Sequence, residues 1–266
     1  MVLATQTINS SYRSLLRACQ GFVAEGDIPR IRKALNLAIE SCGDKVTVTG
    51  DSCVLHSISV ARILAGELNL GTISVIAALL HDSIDDKSFR EDFIEKEFGK
   101  QVGGILKGLR KVNSVETKHS GSQAESFRKL LLSLADDVRV IAIKLVERID
   151  EMRNLEGADD LARLQIASET YFLYAPLAYR LGFYNLKTEM EDLSMKYLEP
   201  EHYNHIECRL RQTTSSRNRL IRDFTLPLRE KLDKLRINYS IKGRTKSIHS
   251  IWQKMRKQGV EFDEVY

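Results

Sequence analysis

Residues 73–86 read ISVIAALLHDSIDD, and residues 56–64, one segment earlier, read HSISVARIL. Apolar residues run almost unbroken to Leu80 and then give way to His81 and Asp82. This pattern predicts a buried helix over 72–82, at whose end neighbouring side chains turn from the core toward solvent. The earlier stretch predicts a helix over 53–68, on which His56, Val60 and Ile63 share a face. A short Asn69–Gly71 turn joins the two. A lone helical histidine is more often a packing residue than a ligand, and a His-Asp dipeptide is common. His56, His81 and Asp82 together are a stronger signal, because neutral imidazoles and carboxylates suit a divalent first-row metal.

Outward from this pair the chain keeps the same habit. It has only 4 prolines, and apolar residues recur at three- and four-residue spacing nearly everywhere before residue 236. Helices are expected at 10–25, 29–42, 88–98, 101–111, 123–135, 138–155, 159–181, 184–197 and 201–235, with 112–122 (VNSVETKHSGS) a surface loop. The fold class is therefore all-α up to about residue 236. From 237 the pattern changes: INYSIKGR reads as a short strand and TKSIHSIWQKMRKQG as a basic helix, the start of an α/β domain.

Composition bounds the function. Hydrophobic residues make up 43% of the 266, enough for a core, and the net charge of +4 lacks the basic excess of a nucleic-acid binder. Cys19, Cys42, Cys53 and Cys208 are scattered with no CxxC pair and read as free thiols in a reducing cytoplasm. No signal-peptide pattern and no membrane-length apolar run is visible, so a cytoplasmic protein without a membrane partner is expected. GGILKG (103–108) lacks the GK[ST] of a phosphate loop, and the HYNH at 202–205 reads as a solvated helix start.

A further metal ligand has to come from a later helix. In 138–155, Val138, Ile141, Leu145, Ile149 and Met152 form the core stripe, while Lys144, Glu147 and Glu151 lie on an adjacent face. By spacing alone Glu147 is a solvated helix acid.

HSISVARIL (56–64), AALLHDSIDD (77–86), FGKQVGGILKGLRKV (98–112), the run from Gln123 to Leu155, the run from Glu169 to Tyr203, and GRTKSIHSIWQKM (243–255) resemble, in order and spacing, the RelA/SpoT alarmone synthetase–hydrolases. The likeness covers roughly 40–266. It implies an all-α HD-domain metal phosphohydrolase over 1–198, a linking helix over 199–236, and the truncated start of a synthetase domain over 237–266. The implied reaction is manganese-dependent removal of pyrophosphate from the 3′ side of ppGpp or pppGpp, giving GDP or GTP. By position, His56, His81, Asp82 and Glu147 match the metal ligands, Glu147 standing where the family has Asp. Asp85 and Asp86 match the acidic pair expected to activate the attacking water. Lys144, Arg148, Glu151, Arg153 and Asn154 fall at substrate-contacting positions, and Lys45, two residues upstream of a cation pair that this chain replaces, is a further substrate-binding candidate that compensates for it.

The chain departs from the family at named places. Thr47 and Val48, in TVTGDSCVLHS (47–57), replace an Arg-Lys pair; Glu151 replaces an Asn; Lys87 follows the acidic pair in place of Thr. Hydrogen bonds to charged groups are worth roughly 1.5–3 kcal/mol each, so losing two cations weakens substrate binding on the order of 100-fold or more. Three readings follow: a weakened hydrolase, a degenerate HD domain that regulates an attached GTP pyrophosphokinase, and, more distantly, an HD phosphohydrolase acting on another nucleotide. In the second segment Arg244, Lys246 and Lys254 resemble the nucleotide-phosphate contacts of the synthetase, with Lys246, Ser250 and Lys254 on one helical face. The resemblance places the magnesium-binding Asp of that domain just after Tyr266, so the polypeptide as written is expected to make no alarmone and reads as a fragment. Ribosomal contacts are expected only of the missing C-terminal regions.

Overall fold

The computed structural model describes residues 2–85, 91–116, 137–241, 243 and 245–265. Its first helices are α1 (Val2–Ala18), α2 (Asp27–Cys42), α3 (Cys53–Gly66) and α4 (Thr72–Leu79). A 3-10 turn, His81–Asp85, extends α4, and α5 (Glu91–Phe98), α6 (Lys100–Glu116) and α7 (Val138–Arg153) follow. Then come α8 (Asp160–Glu169), a π-helical turn at Thr170–Tyr174 and α9 (Ala175–Arg180). The chain continues through α10 (Tyr184–Leu198), α11 (Pro200–Gln212), α12 (Thr214–Lys234), α13 (Ile248–Gln258) and α14 (Phe262–Val265). Among the described residues the β pairing is one isolated antiparallel bridge, Val46 to Ser52, so the all-α reading holds.

The centre of the first part is α3, which packs against α1, α2, α4 and α7. Its burial explains its sequence. Val54, Ile58, Val60, Ile63 and Leu64 are buried on several sides, as is expected of a helix surrounded by others. α4 goes further: Val75 through Leu80 are each 1% exposed or less. A helix so enclosed places whatever ends it at the edge of the core. At that end the Leu80 N–H reaches both Ile76 and Ala77 carbonyls at 3.2 Å, the ladder tightens, and His81 and Asp82 are carried on the 3-10 turn. α7 starts at an Asp137 cap, whose carboxylate accepts the Arg139 N–H at 2.9 Å.

Contacts divide the chain into two units, residues 1–187 and 188–266. The second unit has its own small core of Met195, Ile206, Ile251, Phe262 and Val265. Within it Asp192 caps α13, accepting the N–H groups of Ile248 at 3.3 Å and His249 at 2.8 Å.

Several expectations are corrected. The strand over 237–241 does not form; among the described residues there is no second strand to take its backbone hydrogen bonds. Residues 112–116, expected in a surface loop, belong to α6, where Val112 is buried at 4% exposure; the rest of that expected loop, 117–122, lies outside the described residues. The single helix expected over 201–235 breaks at Thr213, whose hydroxyl turns back to the Arg209 carbonyl at 2.9 Å. Cys42 and Cys53 are not free thiols: the end of α2 meets the start of α3 with their Cα atoms 5.8 Å apart, and they form a disulfide. Cys19 and Cys208 are free. Among the described residues no helix is long and apolar enough to cross a membrane. The helix expected over 123–135 lies outside the described residues.

The loop that precedes α3 is held by a close approach. A Cβ on Gly157 would lie 2.1 Å from the Thr49 carbonyl oxygen. Gly157→Ala must therefore push the 47–51 loop away, and a loss of roughly 1–3 kcal/mol, typical of overpacking, is expected in chemical denaturation. An unchanged midpoint would show that the loop yields freely.

Candidate metal centre

α3 and α4 bring the two histidines together. Their ring centroids are 5.3 Å apart, and a nitrogen of each lies within 4.8 Å of the other and of an Asp82 oxygen. His56 and His81 are buried at 7% and 3% exposure. Each ring is oriented by a bond at Nδ1. The His81 Nδ1–H donates to the Ala78 carbonyl at 2.7 Å. A carbonyl only accepts, so the lone pair of the neutral ring falls on Nε2. That Nε2 is buried and has no hydrogen-bond partner, with Asp82 Oδ1 3.4 Å away.

His56 is held by a residue that sequence reasoning missed. Its Nδ1 donates to Asp150 Oδ2 at 2.7 Å, and Ser59 Oγ donates to Asp150 Oδ1 at 2.5 Å. Asp150 is itself 4% exposed. This is the carboxylate–histidine arrangement that outer partners supply at metal centres, leaving Nε2 to ligate. Burial pulls the His56 pKa down, but the Asp150 hydrogen bond and the charges of Asp82 and Asp150 carry it up to about 9. An ion arriving at Nε2 has to displace that proton. The only sequence signal was Asp150 as an acid amid the apolar residues of 145–152, and nothing local tied it to a histidine 94 residues away.

One buried nitrogen with a fixed lone pair, His81 Nε2, a second on His56 that bares its lone pair on losing a proton, and a carboxylate beside them fit a divalent ion. Glu147 does not join the three within 4.8 Å. It is paired with the buried Lys144 at 3.0 Å, and Lys144 also reaches Asn113 Oδ1 at 3.3 Å. Burial raises the Glu147 pKa, but Lys144 and then the two histidines outweigh it and hold the carboxyl at about 2. Asp150→Ala should lower divalent-ion affinity about 10–100-fold, with Asp150→Asn recovering part of the loss. A manganese titration followed by electron paramagnetic resonance reads this, and equal affinity in all three chains would contradict the assigned role.

The other candidate residues divide. Lys45 is exposed, and its backbone carbonyl accepts the Cys53 N–H at 3.0 Å. Arg148 stacks on the Tyr174 ring at 4.4 Å and meets Glu151 at 3.4 Å and Glu169 at 3.3 Å. Burial pushes the Glu151 carboxyl above its usual range, against the pull of Arg148. Arg153 is gripped by both oxygens of Glu67 at 3.0 and 3.1 Å, and Asn154 ends α7 with its amide on the Asp150 carbonyl at 3.0 Å. Asp85 closes the 3-10 turn; Asp86 and Arg244 lie outside the described residues. Lys246 precedes the Ser247 cap of α13, so the helical face expected for Lys246, Ser250 and Lys254 does not exist as such. Lys246 is exposed and Lys254 half-buried.

The family model described as HD domain matches residues 34–184. A guanosine-3′,5′-bis(diphosphate) 3′-pyrophosphohydrolase of Aquifex aeolicus (strain VF5) is 36% identical over 237 residues, 89% of this chain and 34% of its own length. A GTP pyrophosphokinase of Myxococcus xanthus is 34% identical over 244 residues, 90% of this chain and 32% of its own. A second 3′-pyrophosphohydrolase, from Vibrio cholerae serotype O1, is 31% identical over 255 residues, 96% of this chain and 36% of its own. The chain thus spans about a third of the length of the curated relatives it matches. The family match takes in both histidines, Asp82 and Asp150, and relatives of two kinds, 3′-pyrophosphohydrolases and GTP pyrophosphokinases, align along about nine-tenths of the sequence: the chain belongs to the HD domain family, in its RelA/SpoT branch.

Proposed function

We propose that this chain is the hydrolase part of a RelA/SpoT protein, a manganese-dependent ppGpp and pppGpp 3′-pyrophosphohydrolase of weakened turnover. The observation that carries this reading is the buried His81 Nε2, left without a hydrogen-bond partner and placed beside Asp82 and His56. A buried acceptor of this kind is costly unless a ligand completes it. The ion, when bound, would lower the pKa of water and offset the charge of the departing pyrophosphate. The chain supplies the rest. The Ala78 carbonyl holds His81 in its ligating tautomer, and Asp150 fixes the His56 ring through Nδ1, leaving its Nε2 to ligate once the proton there is lost. Asp85, at the end of the turn that carries His81 and Asp82, and Asp86 after it are assigned the removal of a proton from the attacking water. Lys45, exposed at the rim of the loop before α3, is assigned to the phosphates.

A second reading, a regulatory HD domain without turnover, is favoured by one observation. Lys144, Arg148 and Arg153 each already meet a carboxylate, so those cations reach a polyanion only by giving up a partner. Incubating the chain with ppGpp and manganese, beside a His81→Ala control, separates the two. Pyrophosphate release that vanishes in the control excludes the turnover-free domain; bound manganese without release excludes the hydrolase.

For the longer protein we assign 237–266 to the start of the synthetase, with Arg244, Lys246 and Lys254 toward ATP and guanine-nucleotide phosphates and magnesium completing that site. The ribosome, as a partner, belongs to regions beyond this chain.

A further inference from the structure

Asp82 faces two ways. Its Oδ1 lies 3.4 Å from His81 Nε2, on the side of the histidine pair. Its Oδ2 lies 3.6 Å from Cys53 Sγ and accepts the Ser57 hydroxyl at 3.2 Å. Cys53 opens α3 one turn before His56, and Cys42 closes α2. Both sulfurs and an Asp82 oxygen lie within 4.8 Å of one another, the same bound that encloses the two histidines and the same aspartate. The cystine is enclosed, with Cys42 2% and Cys53 7% exposed.

As a disulfide the pair has no proton to give Asp82 and no thiolate to give an ion. Reduction by two equivalents of a low-molecular-weight thiol changes that. Two electrons pass from the external thiols to the cystine, the S–S bond breaks, each cysteine sulfur takes a proton, and the external thiols leave as their own disulfide. The cysteines then offer two sulfurs that release their protons on ligating. Sulfur ligands favour zinc-class ions, whereas carboxylate and water suit manganese. Two sulfurs and one carboxylate oxygen, with a fourth position for water, make a tetrahedral zinc-type set.

We propose that reduction of the Cys42–Cys53 bridge opens a second, thiophilic metal site of Cys42, Cys53 and Asp82, sharing Asp82 with the histidine centre. The bridge closed, Asp82 serves the histidines alone. The bridge open, a zinc-class ion draws on the same carboxylate from the other side. The two centres compete for one side chain, and the thiol state of the cell selects between them. None of this depends on ppGpp being the substrate, because the readout below is metal ligation and not turnover.

Cobalt(II) is the probe. The whole chain is reduced with a phosphine, freed of it without air, checked for a gain of two titratable thiols, and titrated with cobalt. An intense near-ultraviolet sulfur-to-cobalt band is expected, saturating at a single ion per chain and bleached by zinc but not by manganese. The same chain oxidised with a disulfide should show no such band, nor should the Cys42→Ser/Cys53→Ser double variant. The proposal is overturned by a reduced chain without the band, by a band that survives in the oxidised chain or the double variant and so comes from Cys19 or Cys208, or by a bridge that resists reduction in the folded chain. The oxidised wild-type chain keeps the test decisive even where the double variant fails to fold.

Discussion

His81→Ala should abolish divalent-ion binding at the histidine centre and reduce ppGpp hydrolysis on the order of 1,000-fold, beyond the 10–100-fold that losing an outer partner costs. The expectation rests on what the ring does now. Its Nδ1 is fully used by the Ala78 carbonyl and its Nε2 is not used at all. A histidine kept for packing would satisfy both nitrogens or leave one in water. Truncation removes a ligand and also empties part of a tight corner, since Leu79 and Leu80 alongside are 0% and 1% exposed. A stability loss of about 1–3 kcal/mol, from the lost hydrogen bond and the void, should accompany it. The chain should stay helical, because α4 owes its stability to the Val75–Leu80 run and not to His81. Calorimetric titration with manganese, far-ultraviolet circular dichroism and a pyrophosphate-release assay separate the effects. Release that continues in a helical, metal-free variant would move the chemistry elsewhere.

The histidine centre was legible in the sequence because its members announce themselves locally. An almost unbroken apolar run ending in His-Asp reads as the end of a buried helix, and HSISVARIL puts a second imidazole on the helix before it. What was not legible is what depends on distant segments meeting. Asp150 stands on α7 and His56 on α3, and no periodicity in either segment encodes their bond at 2.7 Å. The Cys42–Cys53 bridge is of the same kind: eleven residues apart, without a motif, and joined because α2 ends where α3 begins. Glu147 and Lys144 show a third limit. Their three-residue spacing was visible, yet whether that pair faces open water or sits with Lys144 buried and Glu147 half-buried near the histidines is decided by α3 packing on α7. The strand expected over 237–241 failed for a related reason. A strand is a pairing between segments, and a β-like composition cannot supply the partner.

Restoring the missing cations should raise the hydrolase more than any other exposed change. Thr47→Arg with Val48→Lys is expected to lower the KM for ppGpp about 100-fold, the difference made by two charge-assisted hydrogen bonds of roughly 1.5–3 kcal/mol each, with kcat little altered. The site can accept them. Val48 is 65% exposed, so a longer side chain there displaces no core. Thr47 is less free: its hydroxyl meets Thr49 Oγ1 at 2.8 Å and accepts the Asp51 N–H at 3.2 Å, so its replacement gives up about 1 kcal/mol of loop stability. The loop stays pinned by its backbone, through Thr47 N–H to the Asp51 carbonyl at 2.8 Å and through the close fit of Gly157 under Thr49. Two lysines placed instead at Leu161 and Leu164, which are 81% and 48% exposed on α8, measure the effect of net charge and should lower KM far less than the pair at 47 and 48, because exposed charges are screened by salt. The gain at 47 and 48 should shrink as salt rises, whereas a gain from loop repacking would not. If KM holds steady with both cations in place, the obstacle is on α7. There Arg148, Arg153 and Lys144 are already paired and Glu151 sets a carboxylate among them, and Glu151→Asn becomes the change that decides whether this domain binds the alarmone.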